Sequence, residues 1–468
     1  MISLTLAELS AAVGGTLRLP VGSHDSDDVS GTVQTDSRLV SSGSMFIALP
    51  GEVSDGHLFA QAAVDNGAVV LLVDHELELA VPQVVVEDTL NALADLARVV
   101  VATVRARGTL KVIGITGSNG KTTTKNMLRA VLETVGATIA PPDSFNNQVG
   151  APLSMLSIDF DTRFLVVEMG ASGIGAIART VGIAIPDISV VLKVGLAHVG
   201  KFGSIEETQR AKSEIVTQLP VDAVAILNRD DERVAAMAPL TRARAVWFGL
   251  DTEADVRADD LRATASGTAF TLIEGDVHRP VLLRILGEHH VMNALATLAV
   301  ARELGVDLDA AIAALESVPR AERWRMEVLT RSDGIVVIND AYNASPDSMS
   351  AALKTLAQII EPGQRSIAIL GEMTELGEFY LEEHDRIGRL VVRLNIQKLI
   401  VVGHGARHIH TAAGLEGSWD GESMLVATAD EAYEQLRDGL RAGDVVLVKS
   451  SKSANLRFLG DRLGEVPE

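Results

Sequence analysis

The feature that most constrains this chain is a glycine-rich turn, Gly114-Ile-Thr-Gly-Ser-Asn-Gly-Lys-Thr-Thr-Thr124, set between a buried-type strand, Lys111 to Thr116, and a helical pattern. A strand that runs straight into a helix through glycines belongs to an α/β layer, where the helix packs back across the sheet. Glycines let backbone N–H groups close around phosphate oxygens, and the helix N-terminus favours negative charge. Lys121 adds a cation and the Thr122 hydroxyl is of the type that binds Mg²⁺. Thr116, Gly117, Ser118, Asn119, Gly120, Lys121, Thr122 and Thr123 are therefore candidate nucleotide-binding residues. The spacing is not that of the common phosphate loop, because the position five before Gly120 is Ile115 rather than glycine, so a variant loop is expected.

At 468 residues the chain is too long for one hydrophobic core, and three domains are expected. From Met1 to about Arg107, short β-type runs (Thr32 to Thr35, Ser44 to Ala48, Val69 to Val73, Gln83 to Val86) alternate with helical patterns, which predicts a small α/β domain over 1–107. The polar joint from Arg105 to Leu110 opens a second domain over 108–318. Its strand candidates Lys111 to Thr116, Phe164 to Glu168, Ile188 to Val194 and Ala223 to Leu227 are separated by helix-length segments such as Ser204 to Gln218, so its sheet should be mainly parallel. Val256 to Leu286 predicts an antiparallel addition to that sheet, and helices should follow over His290 to Leu304 and Leu308 to Glu316. A proline-marked hinge around Val318 to Trp324 leads into a third, doubly wound domain over 319–468, with strands at Gly334 to Ile338, Ser366 to Leu370, Lys398 to Val402 and Asp444 to Val448.

Charge and composition narrow the function classes. With 41 basic and 62 acidic side chains, a net charge of −21 argues against a general nucleic-acid binder or an anionic membrane-surface protein. A polyanionic substrate must then meet a local basic or metal-lined site. The chain has no cysteine, which excludes disulfides, thiolate zinc sites and cysteine nucleophiles. Met1 to Gly15 lacks Lys and Arg and reads as a first strand and helix rather than a signal peptide, and no run of about 18 uncharged apolar residues is present to span a membrane. A soluble, cytoplasmic, monomeric protein is expected.

Three further residues are ambiguous by themselves. Glu168 ends the strand Phe164-Leu-Val-Val-Glu168, where it is either a solvated strand-end charge or a Mg²⁺ ligand beside the phosphate loop. Taken alone, His198, in Gly195-Leu-Ala-His-Val-Gly-Lys-Phe-Gly203, reads as a structural histidine, and Lys212 as a solvated helix charge.

Taken together, Thr-Gly-Ser-Asn-Gly-Lys-Thr (116–122), Glu-Met-Gly (168–170), His198 and Lys212 resemble the ATP-binding core of the Mur ligase family. The resemblance covers essentially the whole chain. Gly287-Glu-His-His-Val-Met-Asn293 is similar to the family's Gly-x-His-Asn-x-x-Asn segment, with His290 where Asn is usual. Asp340-Ala-Tyr-Asn-Ala-Ser-Pro346, Ser144-Phe-Asn-Asn-Gln-Val-Gly-Ala-Pro152 and Leu370-Gly-Glu-Met-Thr-Glu-Leu-Gly377 with His384 resemble segments of the family member that adds D-alanyl-D-alanine. Thr35-Asp-Ser-Arg38, Gly43 to Gly51 and Asp55-Gly-His57 resemble its UDP-binding module. Other departures are Ser345 for Asn, Trp324 for the glycine before Arg325, and Lys449-Ser-Ser-Lys452 for Lys-Gly-Ser-Arg.

What the resemblance implies is an α/β fold of three domains: a UDP-binding domain, a central P-loop ATP-binding domain and a Rossmann-like C-terminal domain. The implied activity is ATP-dependent amide formation between UDP-N-acetylmuramoyl-tripeptide and D-alanyl-D-alanine through an acyl phosphate, giving ADP and phosphate. By the same resemblance Thr122 and Glu168 would hold one Mg²⁺, and His198 with a carbamylated Lys212 a second. Lys121 would follow the transferred phosphoryl group. His289, Asn293, Arg325 and Asp340 fall on the ATP side, Asp36, Ser37, Arg38, Asn146 and Asn147 on the UDP-substrate side, and Tyr342 and Asn343 on the dipeptide or nucleotide side. Three rivals remain distinct. The tripeptide synthetase would carry Tyr-Ala-His-x-Pro and Asp-Asn-Pro-Arg segments that do not occur here. A folylpolyglutamate synthetase would not need the first domain, and a non-catalytic nucleotide-binding regulator would not need Lys121, Glu168, His198 and Lys212 together.

Overall fold

The computed structural model describes residues 1–51, 54–141, 144–197, 199–264, 267–318, 323–417 and 419–466. Three separate α/β sheets carry the chain. The first has five strands in the order Thr16–Arg18, Gln83–Val85, Ala68–Val73, Ser44–Ile47, Val33–Gln34, parallel except at the Thr16–Arg18 edge. The third has six strands, with Asp444–Lys449 between Val336–Asn339 and Arg365–Leu370, then Lys398–Val402 and Glu422–Val426, and an antiparallel edge at Glu327–Thr330.

The central sheet has nine strands, and its order positions the site. Lys111–Thr116 lies between Phe164–Glu168 and Ile188–Val191, both parallel to it. Successive strands therefore leave Lys111–Thr116 in opposite directions, and the crevice at such a switch point, beyond the strands' carboxyl ends, is where open α/β sheets bind ligands. The glycine-rich turn sits there. Beyond Val224–Asn228 and Arg244–Gly249 the sheet continues as an antiparallel section, Val256–Thr264, Gly267–Glu274 and Val277–Leu283, as the sequence predicts. Helices Lys121–Leu132 and His289–Glu303 pack against each other on one face of this sheet, burying Met127, Leu128, Val131, Val291, Ala294 and Leu298 with Ile113 and Ile115.

Most of the elements follow their local pattern. The predicted helix Ser204 to Gln218 is Ile205–Thr217, with Ser204 accepting the Glu207 N–H as its N-cap. Strands that the pattern did not single out are largely peripheral: Thr138–Ile139, Glu327–Thr330 and Glu422–Val426 each lie at a sheet edge. Edge strands bury little side-chain surface, so their alternation is weak. Arg244–Gly249 is the exception, an internal strand whose start is masked by Arg242 and Arg244. Part of the expected hinge, 319–322, lies outside the described residues.

The two interdomain junctions differ in chemistry. Helix Thr89–Arg105, capped by Asp88 through the Leu90 and Asn91 N–H groups, buries Leu93, Leu96, Ala97, Val100, Val101 and Val104. These side chains join Leu6 and Leu72 of the first domain to Val112 and Leu165 of the second in one continuous apolar cluster. Arg105 adds a hydrogen bond to the Ile185 carbonyl and an ion pair with Asp187 at 3.0 Å. The third domain meets the second mainly through polar contacts, Lys193 to Asp347 at 3.0 Å, Lys201 to Glu375 at 2.7 Å, and the Gly200 N–H donating to the Glu375 carbonyl at 2.8 Å, with Leu286 of the second domain joining the third domain's apolar cluster. At the Glu375 contact a Cβ on Gly200 would come within 2.7 Å of the Gly377 nitrogen, so the backbones themselves touch.

Leu93→Ala is expected to destabilise the first two domains together, by about 2–5 kcal/mol, because it opens a cavity in their shared core. Chemical denaturation followed by domain-resolved hydrogen exchange checks this, with the third domain's amides unaffected.

Candidate active site

The phosphate loop is held open by its neighbours. The Ser118 hydroxyl donates to the Gly195 carbonyl at 3.1 Å and accepts the Gly195 N–H at 2.8 Å, while Thr116 Oγ1 donates to the Met169 carbonyl. Gly120 caps helix Lys121–Leu132 at φ +86°, and a Cβ there would lie 2.4 Å from Asn293 Oδ1. Glycine is therefore required twice over, by backbone conformation and by close approach. Asn119 Nδ2 is buried with no hydrogen-bond partner among the described residues. A donor left unused beside a loop with a helix N-terminus fits an anionic ligand such as a nucleotide phosphate. Lys121 Nζ donates to the Gly117 carbonyl at 2.6 Å. Burial depresses its ammonium pKa below the usual lysine value, Glu168 opposing that shift and Arg325 adding to it.

Glu168 is fully buried at the end of its strand. Its Oε2 accepts from Thr122 Oγ1 at 3.3 Å and Ser144 Oγ at 3.2 Å, and its Oε1 lies 3.3 Å from Lys125 Nζ. Even so, Oε1 accepts no aligned hydrogen bond among the described residues. A buried carboxylate oxygen with a spare lone pair, beside a threonine hydroxyl, matches the hard oxygen donors that Mg²⁺ prefers. Thr122 and Glu168 are thus brought together as the sequence predicts. Lys125 and Ser144 were not singled out as site residues. The available signal was a charged residue four positions after Lys121, and hence on the same helix face.

Lys212 lies on the buried face of helix Ile205–Thr217, alongside Thr208, Ala211, Ile215 and Val216, and is only 4% exposed. Its ammonium has no hydrogen bond or ion pair among the described residues. Burial, reinforced by Lys121, lowers its pKa to about 7. Lys121, Arg179, Lys201 and Lys212 line one cavity of ≈ 200 Å³ together with Asn146 and Asn147, and among its described lining residues there is no carboxylate. His198 lies outside the described residues, immediately before the short helix Val199–Phe202.

Across the second interdomain junction, Arg325 spans the phosphate loop and the third sheet. Its guanidinium stacks over the Tyr342 ring at 4.1 Å, and Nη2 lies 3.5 Å from Thr122 Oγ1. Asp340 is occupied: Oδ2 pairs with the buried Lys449 at 2.6 Å and Oδ1 accepts the Met326 N–H at 3.0 Å, so the carboxylate braces the Arg325 segment. Asn343 is exposed, its Oδ1 accepting the Ala344 N–H. Ser345 caps helix Pro346–Ile359 and its hydroxyl donates to Asn119 Oδ1 at 3.2 Å, a direct link from the third domain to the phosphate loop. His289 and His290 sit at the start of helix His289–Glu303, ring centroids 4.0 Å apart. Burial lowers the His289 pKa to about 4 and takes His290 well below its ordinary value. Asn293 Nδ2 lies 3.2 Å from His290 Nδ1, and the buried His290 Nε2 has no partner among the described residues.

Trp324 stands where the resembling motif has glycine, and the backbone shows why glycine is usual: φ is +61°. The strain, about 1–2 kcal/mol for a side chain in the left-handed region, is offset by the indole N–H, which reaches both Asp461 oxygens at 2.9 and 3.0 Å.

On the first-domain side, a cavity of ≈ 800 Å³ opens between the first and second sheets, lined by Thr35, Asp36, Leu39, Arg129, Phe145, Asn147 and neighbours. Asp36 reaches it, but the fully exposed Arg38 pairs back on Asp36 at 2.6 Å, lowering the Asp36 pKa to about 2, chiefly through that side-chain hydrogen bond. Ser37 is buried, its carbonyl accepting from Asn66, and neither it nor Arg38 lines the cavity. Asn147 lines this cavity and the cationic one, so the two adjoin.

A three-sheet α/β chain with this loop and these interdomain contacts belongs to the Mur ligase family. Residues 31–112 match the Mur ligase family catalytic domain, 115–301 the Mur ligase middle domain, and 324–452 the Mur ligase glutamate ligase domain. The chain is 43% identical to UDP-N-acetylmuramoyl-tripeptide--D-alanyl-D-alanine ligase of Mycobacterium tuberculosis, over 99% of this chain and 98% of that protein. A crystal structure of MurF from Acinetobacter baumannii superposes with a TM-score of 0.87 at 29% identity, covering 99% of both chains. MurF ligase from Thermotoga maritima in complex with ADP superposes at 0.81 and 28% identity, over 93% of this chain and 98% of that one.

Gly120→Ala is expected to weaken ADP binding by at least about tenfold, since the added Cβ meets Asn293 in a left-handed backbone, at a cost of more than about 1.4 kcal/mol. Calorimetric titration with ADP, alongside a circular dichroism spectrum matching wild type, checks it.

Proposed function

We propose that this chain is an ATP-dependent ligase that joins D-alanyl-D-alanine to UDP-N-acetylmuramoyl-tripeptide in peptidoglycan precursor synthesis, acting as a cytoplasmic monomer. Membership of the Mur ligase family and full-length similarity to ligases of that name support the reaction class. The observation that carries the substrate assignment is the adjoining pair of cavities. The larger lies against the first domain and suits a nucleotide-sugar, while the smaller brings Lys121 and Lys212 to where the peptide's carboxylate must meet ATP.

In this reading the tripeptide carboxylate attacks the γ-phosphorus of ATP, ADP leaves, and the dipeptide amine displaces phosphate from the acyl phosphate to form the amide. The first difficulty is electrostatic. Two unit charges about 4 Å apart repel by roughly 4 kcal/mol at an effective dielectric near 20, so the anions approach only where cations surround them. Lys121, Arg179 and Lys201 supply positive charge around the cavity, and Lys121 stays with the γ-phosphoryl group through transfer. Thr122 and Glu168 would hold one Mg²⁺, and His198 with a carbamylated Lys212 a second. Bound there, Mg²⁺ would neutralise phosphate charge and polarise the reacting oxygens.

Carbamylation needs a neutral amine to add CO₂ and release a proton. A lysine buried on an apolar helix face beside Lys121, its pKa lowered to about 7, meets that need at neutral pH. Arg325, with Tyr342 stacked on it, and Ser345 come from the third domain and meet the phosphate loop, while Glu375 pairs with Lys201 at the cationic cavity, which would limit water's access to a hydrolysable intermediate. His289, His290 and Asn293 face the nucleotide from the opposite side as neutral groups.

The test is phosphate release over a panel of UDP-muramoyl peptides and amine acceptors. Release is expected only with the tripeptide and D-alanyl-D-alanine together; equal release with a single amino acid as acceptor, or with a folate in place of the nucleotide-sugar, would overturn the assignment.

For Lys212, replacement by Ala is expected to lower turnover at least about a hundredfold, with part restored by short carboxylic acids that supply the missing anion. Arg should also fail, since its guanidinium cannot take up CO₂. Near-normal turnover with either variant would refute the carbamate.

A further inference from the structure

Helix Ala176–Ile183 forms part of the wall of the cationic cavity and is poorly equipped to hold itself there. Its N-cap is Gly175, at φ +89°, which has no side chain to take up the free N–H groups of the first turn, and that turn contains no acidic residue. The missing acceptor comes from another helix. Glu214, on helix Ile205–Thr217, accepts the Gly175 N–H at 2.6 Å through Oε1 and the Ala178 N–H at 2.9 Å through Oε2. One carboxylate thus takes both donors, at the N-cap and at the third helical position, that a capping box would satisfy from within a helix.

Both of the helices joined in this way line the cavity, Lys212 from that of Glu214, and Ala176, Arg179 and Thr180 from the capped one. The segment leading into the capped helix is anchored at its start, where the Gly170 N–H donates to the Asn146 carbonyl at 2.9 Å. Glu214 supplies a second fixed point for the wall that runs from Gly170 to Thr180. The capped helix is also held to helix Thr89–Arg105, by Arg179 bonding to Asn91 and by Arg98 Nε donating to the Gly182 carbonyl at 3.1 Å. Those contacts tie it to the interdomain helix, whereas Glu214 ties it to the element that carries Lys212.

Resting on the reading of this cavity as the place where the tripeptide carboxylate meets ATP, we propose that Glu214 is a positioning residue that sets the spacing of Arg179 from Lys212, and so the fit of the peptide's carboxylate in the cavity. Glu214 is not among the residues lining the cavity and acts through the wall it caps. A carboxylate is suited to the task because its two oxygens serve two N–H donors at once and its charge complements the positive end of the helix. A helix of eight residues has little of its own to hold its first turn against fraying. Arg179 directly follows Ala178, so a first turn that frays carries this cation out of place.

The experiment is steady-state phosphate release by the full chain, with KM measured separately for UDP-N-acetylmuramoyl-tripeptide and for ATP, in Glu214→Ala, Glu214→Asp and Glu214→Gln. Asp keeps the charge but is one methylene short; Gln keeps the reach and one acceptor oxygen but carries no charge. In the Ala and Asp variants KM for the tripeptide is expected to rise about tenfold or more while KM for ATP stays within about twofold, and Gln should stay within about threefold of wild type for both. Amide hydrogen exchange at Gly175 and Ala178 should quicken in the same two variants. A merely structural cap would lower the amount of active enzyme, and so kcat, with both KM values unchanged. That result, equal rises in the two KM values, or Asp outperforming Gln would overturn the proposal, the last because charge rather than reach would then be what matters. If the Ala variant cannot be purified folded, Asp and Gln carry the comparison. A wild-type chain that releases no phosphate with the tripeptide would sink the functional reading and this inference with it; an active wild type whose tripeptide KM is indifferent to Glu214 leaves that reading standing and sinks the inference alone.

Discussion

The buried carboxylate of Glu168 is the constraint around which the site is arranged. A charge at the end of an interior strand is tolerated only where donors and cations converge on it. The convergence here draws in three separate segments: helix Lys121–Leu132 through Thr122 and Lys125, the segment before helix Gly150–Met155 through Ser144, and the strand Phe164–Glu168 itself. Fixing these segments also fixes the phosphate loop, since Thr122 immediately follows Lys121, and aligns Asn146 and Asn147, which follow Ser144, along the cationic cavity. Arg325 then reaches the same Thr122 from the third domain. One electrostatic requirement thereby orders loop, cavity and closing domain.

How much of this was legible in the sequence depended on whether the signal was local. The loop, the strand carrying Glu168 and the helix carrying Lys212 lie where their patterns place them, because a glycine-marked turn and a fully apolar strand are specified within a few residues. The sequence did not disclose that Lys212 sits on the apolar face without a partner among the described residues, nor that Lys125 is buried beside Glu168, because burial of a lysine is decided by what packs across from it. The first-domain residues show the same boundary from the other side. Thr35-Asp-Ser-Arg38 is recognisable as a segment, yet Arg38 folds back onto Asp36 and only Thr35 and Asp36 of the four line the cleft. The pattern identified the segment; the side-chain directions depended on neighbours such as Asn66 that are distant in sequence.

The departures from the family pattern are each accommodated by a nearby partner. Trp324 takes a backbone conformation suited to glycine and is held there by Asp461. Ser345 keeps both a helix cap and a contact with Asn119. His290, where Asn is usual, has its pKa lowered by burial and lies against Asn293, its second nitrogen buried without a partner among the described residues. At Ser345 and His290 the side chain has changed while hydrogen-bonding capacity has been kept.

The two interdomain seams have a mechanical consequence. The first two domains share a single apolar core through helix Thr89–Arg105, whereas the third rests mainly on ion pairs, hydrogen bonds such as Ser345 to Asn119 and a backbone contact at Gly200, with a smaller apolar contact at Leu286. Dense hydrocarbon packing is stiff and resists even small shifts, while charged contacts exchange readily with water. Compliance in this molecule is therefore concentrated in one soft coordinate, the swing of the last 150 or so residues against a rigid frame (about one third of the chain's length). The cleft between the first and second sheets lies within the frame, whereas the contacts of Arg325 with Thr122 and of Ser345 with Asn119 cross the softer seam.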